Sequence, residues 1–106
     1  MRFLLLALIL LAAGCGGSES RAPVATTEVE MVKSYRFDPK VIEIQAGDTV
    51  TWTNDDNFTH TVQVDGQSDH KVERGESVSI GFDDPGTYDY VCTLHSTDMD
   101  GTVIVK

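Results

Sequence analysis

Only two cysteines occur in the 106 residues, at positions 15 and 92. A Cys-x-x-Cys-His run, the attachment site of a covalent haem, is missing. Basic residues are scarce as well: 8 Lys and Arg stand against 17 Asp and Glu, for a formal net charge of -9. So acidic a surface excludes nucleic acid as a partner, because phosphate binding needs clustered Lys and Arg. The charge-free run from Phe3 to Ala13 is shorter than the about 20 apolar residues that span a bilayer. Beyond it no capped segment repeats at the helical period. The length leaves room for one domain and excludes a second, catalytic one.

What stands at the N-terminus is the pattern of an export signal: Arg2, the apolar run, then small residues. The stretch Leu11-Ala12-Ala13-Gly14-Cys15 resembles the lipobox of bacterial lipoproteins. By that resemblance residues 1–14 are a signal segment and Cys15 becomes a lipid-bearing N-terminus. The alternative is a plain secretory signal with an incidental cysteine. Residues 15–27 are small, polar and unpatterned after the cysteine, which reads as a flexible tether, and 28–106 form the domain. If Cys15 carries lipid, Cys92 has no disulfide partner. A solitary thiol in an exported protein calls for a role, and a metal ligand is the readiest one; a buried structural thiol is the plain alternative.

From residue 28 onward apolar and polar residues alternate in short runs separated by turn residues. Val29, Met31, Tyr35 and Phe37 share a parity, so Val29 to Phe37 reads as one strand. Val41 to Gln45, Thr49 to Asn54, Thr59 to Val64, Ser77 to Phe82, Thr87 to Leu94 and Thr102 to Lys106 follow. About seven or eight such strands imply an all-β Greek-key sandwich or small barrel. Asp55-Asp56-Asn57 reads as a polar loop, His70 as a solvated loop residue, and Trp52 as core between outward threonines. Parity also aims His60 inward with Val62 and Val64, and Cys92 inward with Tyr88 and Tyr90.

Between the last two strands the chain reads Cys92-Thr93-Leu94-His95-Ser96-Thr97-Asp98-Met99. Cys-x2-His lets a thiol and an imidazole reach one ion as the chain leaves its strand, and His-x3-Met brings a thioether back toward it. With His60 from a distant strand, the set is one thiolate, two imidazoles and one weak thioether, the ligand set of blue-copper sites. Soft sulfur suits Cu(I) and imidazole serves both oxidation states. Structural zinc takes four Cys or His ligands, and three such groups are available here.

These motifs, in order, resemble the cupredoxin family. The residues that carry the likeness are Tyr35-Arg36-Phe37-Asp38-Pro39, Gly47-Asp48-Thr49-Val50-Thr51-Trp52-Thr53-Asn54, His60-Thr61-Val62, and Pro85-Gly86-Thr87-Tyr88-Asp89-Tyr90-Val91-Cys92 through Val105. The resemblance implies a Greek-key sandwich holding one Cu(I)/Cu(II) ion on His60, Cys92, His95 and Met99, and a one-electron carrier rather than an enzyme. It implies an electron port at His95, with Leu94 and Met99 as apolar surroundings. Asn54, Thr61 and Thr93 are candidates to hydrogen-bond around the ligands. Two departures stand out. The His95 to Met99 gap is intermediate between the shorter gap of amicyanin-like members and the longer one of plastocyanin-like members, and Ser96 stands where many relatives have proline.

The expected setting is a monomer outside the cytoplasm, periplasmic or on the outer face, lipid-anchored to the membrane. Acidity suits a basic redox partner such as a c-type cytochrome, or a membrane oxidoreductase. Three other readings stay open at this level: a copper chaperone or scavenger using the same ligands, a metal-free β-sandwich module, and a Cys-His nucleophile pair, for which no oxyanion-hole loop is visible.

Overall fold

The computed structural model describes residues 22–95 and 97–106. The expected signal segment 1–14 and Cys15 lie outside the described residues. Ten strands occur among those described: β1 Val24–Ala25, β2 Glu28–Val32, β3 Arg36–Asp38, β4 Val41–Ile44, β5 Thr49–Asn54, β6 His60–Val64, β7 Asp69–Val72, β8 Ser77–Gly81, β9 Gly86–Val91 and β10 Asp100–Val105. The one helical element among the described residues is a 3-10 turn, Thr93–His95. No described helix is long and apolar enough to cross a membrane.

The strands form two sheets, one in the order β1-β4-β10-β9-β6-β7 and the other β3-β2-β5-β8. Period-two alternation explains why they pack face to face: Val50, Trp52, Val62, Val64, Tyr90, Val103 and Val105 point into one shared core. The threonines flanking Trp52 face away and meet the next strand, Thr51 hydroxyl to Ser79 at 2.9 Å and Thr53 to Ser77 at 2.8 Å. Trp52 itself is fully buried.

The expected strand from Val29 to Phe37 is instead a hairpin. Ser34 and Tyr35 adopt φ of 73° and 55° and turn the chain back, so that Met31 pairs with Phe37 and Val32 with Arg36. Tyr35 leaves the core parity and its ring goes elsewhere. Two strands are shorter-range surprises. Val24–Ala25 in the expected tether pairs in parallel with Ile42 and Glu43. Asp69–Val72 pairs with β6, which places His70 on a strand opposite Val62, half-buried and not in a loop. Its single inward apolar residue, Val72, gives no visible alternation.

Candidate metal centre

β6 and β9 lie side by side, with Val64 opposite Tyr90 and Gln63 opposite Val91. Continuing that register sets Thr61 opposite Thr93 and brings the inward side chains of His60 and Cys92 to one end of the core. The 3-10 turn after Cys92 then carries His95 back over the same point, with the His95 amide donating to the Cys92 carbonyl at 3.0 Å. Cys92 and Met99 are joined through their backbones, the Cys92 amide donating to the Met99 carbonyl at 3.0 Å. His60, Cys92 and Met99 are all fully buried, while His95 is partly exposed.

The donor atoms converge. Cys92 Sγ lies 3.7 Å from His60 Nδ1 and 3.5 Å from His95 Nδ1, and one ligand atom from each of the three lies within 4.8 Å of the others. Bonds of about 2.0 Å to imidazole and about 2.3 Å to thiolate put sulfur and nitrogen about 3.5 Å apart at a tetrahedral angle and about 3.7 Å apart at a trigonal one. The three donors are therefore already spaced for one ion between those geometries. Among the described residues this is the one such cluster, and the donor set is that of copper.

Neighbouring groups fix each donor. Asp56, read from the sequence as part of a polar loop, is 3% exposed, and its Oδ2 accepts from His60 Nε2 at 2.9 Å. With Nε2 carrying the proton, the Nδ1 lone pair faces the sulfur. Burial alone would push the Asp56 carboxyl up. The hydrogen bonds from His60 and the Asn57 amide, with the charge of Lys33, outweigh it and hold the group below its usual range.

Asn54 touches no ligand. Its Nδ2 donates to the carbonyls of Phe58 at 2.8 Å and Val72 at 2.9 Å, and its Oδ1 accepts from the Asp56 amide at 2.8 Å, so it holds the loop that carries Asp56.

Thr61 acts directly, its amide donating to Cys92 Sγ at 3.4 Å. The hydroxyls beyond it run in one direction. A carboxylate only accepts, so Thr93 Oγ1 donates to Asp69 Oδ2 at 2.7 Å. Thr61 Oγ1 must then donate to Thr93 Oγ1 at 2.8 Å while accepting from the Thr93 amide at 2.6 Å.

Around His95 the expected apolar surroundings are half right. Leu94 is 57% exposed, but Met99 is fully buried and contributes nothing to the surface. Phe58, 53% exposed, meets Tyr35 at 5.6 Å, the ring that stacks on His95. Tyr35 stacks on His95 with ring centroids 4.3 Å apart, a contact no sequence period signals.

A Cupredoxin-like domain family matches residues 3–105. The chain is 37% identical over 105 residues to amicyanin-alpha of Methylorubrum extorquens, covering 91% of this chain and 85% of that protein. It is 36% identical over 84 residues to plastocyanin of Scenedesmus fuscus, covering 66% and 86% respectively. A solved structure of a purple cupredoxin from Nitrosopumilus maritimus superposes with a TM-score of 0.67 at 26% identity, over 74% of this chain and 98% of that one. The fold, the donor set and these likenesses agree: the chain belongs to the cupredoxin-like family, as a copper-binding electron-transfer protein and not an enzyme.

Proposed function

We propose that the chain is a membrane-tethered one-electron carrier outside the cytoplasm, its copper held by His60 and His95 through Nδ1, by the Cys92 thiolate, and by the Met99 thioether. The convergence of the three donors at one buried end of the sandwich carries the reading. When bound, copper supplies the one-electron change. The chain's residues bind it, orient it and keep water out: Asp56 fixes the His60 ring, the Thr61 amide steadies the thiolate, and the core closes over His60, Cys92 and Met99.

His95 is the one nitrogen ligand that reaches toward solvent, next to exposed Leu94 and, through the Tyr35 ring stacked on it, exposed Phe58. Electrons enter and leave there, against a partner that meets an apolar patch on an acidic molecule. Such a partner is a basic redox protein of the c-type cytochrome kind or a membrane oxidoreductase. Tethering rests on Cys15 and the segment before it, and the carrier works as a monomer. A Cys15→Ala protein released from the membrane fraction supports the anchor; one still fully membrane-bound overturns it.

Copper chaperoning uses the same ligands, but a delivery site must open to its acceptor, and here three of four ligands are fully buried. Mixing the reduced, copper-loaded protein with an oxidised c-type cytochrome and an apo copper acceptor separates the two. Rapid cytochrome reduction with copper retained is the expected result. Copper handed over without electron transfer contradicts the carrier reading.

A further inference from the structure

Tyr35 occupies a conformation that its residue type avoids. It sits in the three-residue turn 33–35 between β2 and β3 at φ 55°, directly after Ser34 at φ 73°. A bulky side chain in the left-handed region is an outlier that persists only where its surroundings repay it, and glycine is the usual occupant. The half-buried ring shows what does so. It stacks on His95 at 4.3 Å with 21° between the planes, meets His60 edge-on at 5.9 Å, and contacts Phe58 at 5.6 Å.

The ligand loop has little else to hold the His95 ring. Cys92 to Met99 contains no proline. Its backbone hydrogen bonds, from the His95 amide to the Cys92 carbonyl and from the Asp98 and Met99 amides to the His95 carbonyl, fix the backbone, while the ring itself meets Cys92 Sγ at 3.5 Å through Nδ1 and the His60 ring edge-on at 5.2 Å. Among the described residues Tyr35 is the only stacked partner of that ring. A one-electron carrier works best when its ligands occupy the same positions in both oxidation states, because any movement adds to the barrier.

Building on the copper reading above, we propose that Tyr35 is a positioning residue: its ring clamps the His95 imidazole in one orientation, and the strained turn exists to deliver it there. The aromatic face does this work and the hydroxyl does not.

Three substitutions separate clamp from scaffold. Tyr35→Phe keeps the ring, Tyr35→Ala removes it and keeps the strained φ, and Tyr35→Gly removes the ring and relieves the strain. The measurements are the His95 ring proton shifts in the metal-free and Cu(I) proteins by NMR, the Cu(II)/Cu(I) self-exchange rate, and the melting temperature. Tyr35→Phe should retain the upfield ring-current shift and the wild-type exchange rate. Tyr35→Ala and Tyr35→Gly should both lose the shift and slow exchange by about tenfold, although Tyr35→Gly is the more stable of the two.

Wild-type shifts and rates in Tyr35→Gly, or losses that follow melting temperature instead of the ring, would overturn the clamp. If the wild-type protein gives no intense visible band with Cu(II), the copper reading fails by itself. The metal-free His95 shifts then still decide whether Tyr35 holds the ring.

Discussion

Asp56 and His60 meet at 2.9 Å, carboxylate oxygen to Nε2, with both side chains almost wholly withdrawn from water. The pair points the opposite ring nitrogen of His60 at Cys92 and places a negative charge one imidazole away from the donor cluster. Cu(II) carries one more positive charge than Cu(I), so that carboxylate favours the oxidised state.

Asp56→Asn should accordingly weaken Cu(II) binding by roughly 10- to 100-fold and Cu(I) binding less. Each tenfold difference between the two raises the reduction potential by about 59 mV. Competition titrations and voltammetry read the two quantities; a potential that stays put or falls contradicts the role given to the carboxylate.

Asn54 is held with its amide nitrogen on two carbonyls and its oxygen on the Asp56 amide, so its two ends are not interchangeable. In Asn54→Asp an oxygen would face the carbonyls of Phe58 and Val72. The loss should exceed about 3 kcal/mol, against about 1–3 kcal/mol for Asn54→Ala, which leaves partners unpaired without repulsion. Urea unfolding of the metal-free protein compares them, and equal losses would count against this orientation.

Thr61→Val removes the acceptor of the Thr93 amide and should cost about 1–3 kcal/mol, with faster hydrogen exchange at Thr93. Asp69 lies at the exposed end of the same chain of hydroxyls, so Asp69→Asn should change stability far less. Equal effects would mean that the hydroxyl chain is held from its exposed end.

Alternation along the strands was enough to read a two-layer β fold and the inward aim of His60, Trp52, Tyr90 and Cys92, because one face of each strand must avoid water. The loop spacing brought His95 to the same place as His60 and Cys92. Asp56 and Tyr35 were hidden for different reasons. Asp56 sits in a loop with no period, and its burial depends on a hydrogen bond from its amide to the buried side chain of Asn54 two residues earlier, which leaves no pattern in the sequence. Tyr35 shares the parity of Met31 and Phe37, and only the two left-handed residues at the turn take it out of the core. The pairing of Val24–Ala25 with β4 is equally silent, since two exposed residues bonded through their backbones leave no side-chain pattern.

Core burial also predicts behaviour in alkali. Burial pushes the Tyr90 phenol well above its ordinary value of 10.0, and the Asp100 charge reinforces the shift. Below pH 10 the phenol is neutral in folded and unfolded chains alike, and the fold keeps its full stability. Above that pH the unfolded chain releases the proton while the folded one retains it, so stability falls by about 1.4 kcal/mol per pH unit from this group. Tyr90→Phe should shallow the alkaline decline by that slope; an unchanged profile would place the phenol in water.

Adding Cu(II) to the purified wild-type and Cys92→Ser proteins and recording their visible spectra tests the central claim most directly. The wild type should develop an intense thiolate-to-copper band that saturates at one ion per chain, and Cys92→Ser should show none. A colourless wild-type complex, or a band that survives Cys92→Ser, would contradict the copper centre built on His60, Cys92 and His95.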